Sequence, residues 1–92
     1  MNISPLASVH PKAQLNSGVV IEPFAHIHED VIIGEGTKIH SNAVLYPGTR
    51  IGKNCEIFPG AVIGVIPQDL KFNGEYTIVE IGDHTVIREC VT

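Results

Sequence analysis

Residues 39–63 read IHSNAVLYPGTRIGKNCEIFPGAVI, and every sixth position from the first is a branched aliphatic: Ile39, Leu45, Ile51, Ile57 and Ile63. Toward the N terminus the same step lands on Ile33, Ile27, Ile21, Leu15, Val9 and Ile3. If such residues fill about a quarter of a chain, eleven in register arise by chance with odds of roughly one in a million. A fixed short period of this kind marks a stacked-repeat architecture.

The other positions of the hexad agree. Four residues after each aliphatic stand Ala7, Ala13, Val19, Ala25, Val31, Thr37, Ala43, Thr49, Cys55, Ala61 and Pro67, all of them small enough for a narrow interior. Three residues after it, in seven of the eleven hexads, stand Gly18, Asp30, Gly36, Asn42, Gly48, Asn54 and Gly60, types that tolerate the positive φ of a tight turn. Pro5, Pro11, Pro23, Pro47 and Pro59 enter the turns, where a fixed φ is useful and no ladder donor is required. Each hexad is therefore one short strand plus one turn, with the aliphatic and the small residue pointing inward two positions apart.

Three hexads per coil predict an all-β parallel helix, a triangular prism whose coils stack at about 4.8 Å. On that geometry one inner ladder is Ile3, Ile21, Ile39 and Ile57, and a second is Val9, Ile27, Leu45, Ile63 and Ile81. The third is Leu15, Ile33 and Ile51, broken at Asp69 and resumed at Ile87. Periodicity does not give the hand of the coil, since ordinary parallel crossovers are right-handed.

The frame fails between Ile63 and Ile81, where Asp69 and Glu75 occupy the two positions that should be aliphatic. Two carboxylates buried in a thin apolar prism would be costly. Residues 67–76, PQDLKFNGEY, are therefore expected to leave the coil as a projecting loop, the place where solenoids carry functional insertions. The bland alternative is a tolerated insertion without a role. The clustering of Gln68, Asp69 and Lys71 favours function.

Composition narrows the class. Ninety-two residues suit one small domain, read here as residues 1–92 of a single β-helix with no second domain. Aromatics are 5% and Trp is absent, so the core must be built from Val, Ile, Leu and Ala. A net charge of -4 argues against nucleic-acid binding and against a cationic membrane-surface role. Short apolar runs offer no membrane-spanning segment, and two well-separated cysteines fit a reduced, cytoplasmic protein. The repeat is still running at Thr92, which leads us to expect the N-terminal part of a longer protein.

The stretch IGVIPQDLKFNGEYTIVEIGDHTVIRECVT resembles the acyl-carrier-protein:UDP-N-acetylglucosamine O-acyltransferases of lipid A biosynthesis. The hexads alone would fit many acyltransferases. Gln68-Asp69-Leu70-Lys71, then Gly74-Glu75, Val79-Glu80-Ile81-Gly82-Asp83, Arg88-Glu89 and Val91-Thr92, are far more restrictive, and His10-Pro11 also fits. The likeness departs at Cys90, where Ser is usual, and at Phe72, where Tyr is common. It implies a left-handed coil, a homotrimer about an axis parallel to the prism, and active sites between neighbouring subunits.

It also implies a reaction, the first step of lipid A biosynthesis. An (R)-3-hydroxyacyl group passes from an acyl-carrier-protein thioester to the 3-hydroxyl of UDP-N-acetylglucosamine, without a cofactor. A sugar hydroxyl is a poor nucleophile and needs a positioned general base. The family's catalytic histidine matches none of the five histidines here and is expected beyond Thr92, with the backbone donor for the oxyanion. Gln68, Asp69 and Lys71 match residues that line the family's substrate cleft. The first two would then bind the glucosamine and hydroxyacyl groups, and Lys71 the acyl or pantetheine-phosphate end. Residues 1–92 alone are expected to be inactive. The alternatives are another hexapeptide acyltransferase, such as the N-acyltransferase of the same pathway or a small-molecule acetyltransferase, and a metal protein similar to the γ-class carbonic anhydrases.

The metal alternative rests on three imidazoles. His26 and His28 flank Ile27 and point outward, with His10 one coil below His28. No further motif of those enzymes accompanies them, so a polar or subunit-facing surface is the preferred reading. That face continues through Val44, Tyr46, Val62 and Gly64 and is the expected subunit interface. Cys55 is expected in the core and Cys90 at a turn, neither as a nucleophile.

Overall fold

A computed structural model of the chain describes residues 1–64 and 78–89. Their regular elements are all short strands: β1 (Asn2–Ile3), β2 (Ser8–Val9), β3 (Gln14–Leu15), β4 (Val20–Ile21), β5 (His26–Ile27), β6 (Ile32–Ile33), β7 (Lys38–Ile39), β8 (Val44–Leu45), β9 (Thr49–Ile51), β10 (Glu56–Ile57), β11 (Val62–Ile63), β12 (Val79–Ile81) and β13 (Val86–Ile87). Every third strand joins the same parallel sheet. Face one is β1-β4-β7-β10-β13, face two is β2-β5-β8-β11, and face three is β3-β6-β9-β12. The result is a parallel β-solenoid with three flat sides. Among the described residues no helix is long and apolar enough to cross a membrane.

Strands this short hold because each backbone group finds its partner in the next coil. The amide of Asn2 donates to Val19 O at 2.9 Å, that of Val20 to Thr37 O at 3.0 Å and that of Lys38 to Cys55 O at 2.9 Å. The inward aliphatics stack as the hexad requires: Ile21, Ile27, Ile33, Ile39, Leu45 and Ile57 are almost wholly buried. Ile3, Val9 and Leu15, the aliphatics of the first coil, are only partly covered. Cys55 lies in the core at 2% exposure.

All seven expected corner residues have positive φ, from 53° at Asn54 to 90° at Gly48. Phe24 (φ 68°) and His84 (φ 61°) share the same hexad position and the same conformation without the matching residue type. The corner geometry overrides local preference there, at a cost of about 1–2 kcal/mol for a residue with a Cβ.

One expectation fails. Ile81 does not join Leu45 and Ile63 but pairs with Ile51 on face three, and Ile87 pairs with Ile57 on face one. The spacing across the break is thus 30 residues (51 to 81, 57 to 87) instead of 18, an insertion of twelve. The coil runs from face two to face three, so whichever strand next returns must fill face three. Two extra hexads preserve the inward and outward phase of the strand while moving it to another side. The column Gly34, Gly52 and Gly82, one residue after each face-three aliphatic, follows the same new spacing.

Candidate functional site

The insertion is rooted at the corner between faces two and three, on the turn formed by residues 46–49. Thr49 is fully buried, and its hydroxyl donates to Tyr46 O at 2.7 Å. The same hydroxyl lies 3.4 Å from Ile63 O, the last strand residue before the break. Gly64 follows with φ 105°, packed so closely that a Cβ would lie 2.8 Å from Thr49 Oγ1 and 3.0 Å from Tyr46 Cβ. On the returning side, the Val79 amide donates to Gly48 O at 2.9 Å. Gly64 and Val79, on either side of the segment 65–77, therefore meet the same turn.

That turn is braced from the coil below. Gly48 N donates to Asp30 O at 2.9 Å. The Arg50 guanidinium donates to Asp30 O at 2.7 Å and to Asp30 Oδ1 at 3.0 Å, and reaches Thr49 O at 3.3 Å. A charge-assisted contact with a carboxylate and two carbonyls fixes the backbone on both sides of the corner.

Face two brings aromatic side chains up to this corner. His26 stacks on His28 with ring centroids 4.2 Å apart, and His28 stacks on Tyr46 at 4.8 Å. Burial, followed by the neighbouring His26, holds His28 below its ordinary pKa of 6.5. His10 turns instead toward Glu29, 3.8 Å away. Among the described residues no three His, Cys, Asp or Glu side chains converge as a metal site would need.

The residues singled out as substrate contacts, Gln68, Asp69 and Lys71, lie outside the described residues. What is described is the frame that carries their segment. Sequence reasoning classed Thr49 merely as a small inward residue and did not see it as a support. The signal was present: among the described residues Thr37, Thr49 and Thr85 are the hydroxyl residues in an inward series otherwise built from Ala, Val and Cys. It also missed the cross-coil bridge of face one, where His40 sits 3.1 Å from Glu22 and 2.7 Å from Glu56. The spacing of 18 between Glu22 and His40 announces that contact once coils are stacked.

The family model of the bacterial hexapeptide transferases (six repeats) matches residues 12–47 and 30–64. This chain belongs to the bacterial hexapeptide transferase family. The match to that family is consistent with the left hand expected of the coil. Among curated proteins, the acyl-carrier-protein–UDP-N-acetylglucosamine O-acyltransferase of Chlamydia muridarum is 56% identical over 88 residues, which is 96% of this chain and 31% of that protein. Its namesake in Chlorobaculum tepidum is 64% identical over 31 residues, 34% of this chain and 12% of that protein. The crystal structure of a UDP-N-acetylglucosamine acyltransferase from Bacteroides fragilis superposes with a TM-score of 0.85 at 55% identity, over 94% of this chain and 34% of that one. The Francisella novicida enzyme of the same name gives 0.86 at 40% identity, over 96% and 32%. The chain thus spans about a third of the length of the relatives it matches end to end.

Proposed function

We propose that residues 1–92 are the N-terminal part of an acyl-carrier-protein:UDP-N-acetylglucosamine O-acyltransferase. The observation that carries this reading is the 56% identity to the Chlamydia muridarum enzyme along 96% of the chain. Identity of that extent reaches through the insertion, where the hexad rule alone imposes nothing.

In the proposed reaction the sugar 3-hydroxyl oxygen attacks the thioester carbonyl of the acyl carrier protein. A histidine outside residues 1–92 accepts the hydroxyl proton. The tetrahedral intermediate then expels the carrier thiolate, which leaves as the thiol, and the ester oxygen keeps the acyl group. Gln68, Asp69 and Lys71 serve as substrate contacts on the segment rooted at residues 46–49. The protein acts in the cytoplasm as a homotrimer, with face two against its neighbours. No cofactor enters the scheme.

The test is transfer of a 3-hydroxyacyl group from its carrier protein to UDP-N-acetylglucosamine by the complete protein, alongside Asp69→Ala. Transfer by the parent and a loss of at least about tenfold in turnover by the variant are expected. Failure of the parent to acylate the sugar nucleotide would sink the assignment. Full activity of Asp69→Ala would remove that residue from the site.

A further inference from the structure

Phe24 is costly to the isolated chain twice over. It stands at the corner between faces one and two with φ 68°, a conformation that its counterparts in the next two coils, Asn42 and Gly60, adopt more easily. Its side chain is also left in water, at 62% exposure, and Leu6, one coil below at the same corner, is 61% exposed. The Phe24 amide donates to Leu6 O at 3.2 Å, so the two residues stand one above the other as a short apolar ridge. The aromatic contacts among the described residues join His26 to His28, His28 to Tyr46 and His40 to Phe58, and leave the Phe24 ring out. The buried core does not include it either.

A surface suited to receive this ridge borders the same corner. Among the described residues the outward positions of face two, from Ser8 and His10 up to Val62 and Gly64, include no Lys, Arg, Asp or Glu. The corresponding positions of face one carry Glu22, Lys38, Glu56 and Arg88, and those of face three Arg50 and Glu80. Copies of a chain with a net charge of -4 repel one another, and face two is the side on which permanent charge opposes contact least.

We propose that the Leu6–Phe24 ridge docks one copy of this chain onto face two of the next, with the Phe24 ring against the partner subunit's His26 and His28. The proposal rests on the reading of the complete protein as a homotrimer with face two at its contact, and adds what meets that face. Rotation about an axis parallel to the prism keeps every coil at its own height. Phe24 lies in the coil of His26, so it arrives level with the exposed His26 imidazole and the ring of His28 stacked on it at 4.2 Å. An aromatic side chain placed on stacked rings, away from permanent charge, is the composition of an interface anchor. The contact runs from the corner of one subunit to the face of the next, a head-to-tail arrangement that a ring of three can close.

Phe24→Asn in the complete protein gives this corner the same residue type as the corner at Asn42, so the coil should keep its circular dichroism. It is expected to raise the dissociation constant of the trimer at least about tenfold, measured by light scattering on dilution in moderate urea. Phe24→Gly, matching the corner at Gly60, is expected to do the same. His26→Ala is expected to weaken the trimer as well. Phe24→Asn combined with His26→Ala should weaken it by less than the product of the two single effects, because both remove one contact. A parent-like dissociation constant in both Phe24 variants, or the full product in the combination, would overturn the docking of the ridge and leave the trimer reading standing. A monomeric parent would defeat the trimer reading and the ridge contact together.

Discussion

At the scale of single residues, the chain shows how one hexad position can hold residues of unequal importance. Ala43, Thr49 and Cys55 occupy equivalent inward sites and are all buried. Only Thr49 carries a hydroxyl, which donates to Tyr46 O. His28 shows the electrostatic counterpart. Burial and the stacked His26 hold its imidazole below 6.5, while Glu29 opposes them and His10 adds to them. The unfolded chain therefore takes up this proton first as pH falls. Stability declines as pH drops from 6.5 toward the depressed native value, levels off below it, and is unaffected by this group well above 6.5. His28→Gln is expected to show a smaller drop in urea midpoint between about pH 7.5 and about pH 5.5 than the parent. An equal drop in both proteins would show that the half-buried imidazole is not the source.

At the scale of elements, two-residue strands are too short to be stable singly and depend on their stacking partners. Close backbone approach between coils is part of that dependence. A Cβ on Gly34 would lie 2.5 Å from both C and O of Gly52 in the coil above, and backbone cannot step aside as a flexible side chain can. Gly34→Ala is expected to destabilise the solenoid by about 1–3 kcal/mol, read from denaturant unfolding. A midpoint equal to the parent's would mean that the coils can separate there at no cost. The element scale is also where the hexad rule misassigned two strands, those of Ile81 and Ile87. A period of six says which residues point inward, yet it is identical on all three faces. Any insertion of whole hexads leaves that phase intact, so the face taken by Ile81 was invisible until its partner Ile51 was seen.

At the scale of the whole molecule, the three faces differ. Face one carries a lattice of charge, with Glu22, Lys38, His40 and Glu56 paired across coils. Face three is crowded with glycine and the Asp30–Arg50 pair. Face two presents stacked His26, His28 and Tyr46 beside Val44 and Val62, the combination of aromatic and aliphatic surface that protein interfaces favour. The complete protein is accordingly expected to run as a trimer in light scattering. Charge placed centrally on this face, as in Val44→Glu, is expected to shift it to the monomer. A Val44→Glu protein that remains trimeric would place the contact on another face.

What the sequence by itself determined is the solenoid: the period of six, the inward aliphatic and small residue, the turn residues at positive φ, and the place where the repeat stops. These follow from local constraints, because each hexad repeats one strand and one corner. The family resemblance, and the choice of Gln68, Asp69 and Lys71, also came from the order of residues alone, and their segment lies outside the described residues. Only the tertiary structure decided which strand faces which across the insertion, and that Gly64 and Val79 meet the same turn, residues 46–49. Those facts depend on which backbone of a neighbouring coil each strand meets. That pairing is set by stacking residues far apart in the chain, and nothing in a six-residue pattern records it.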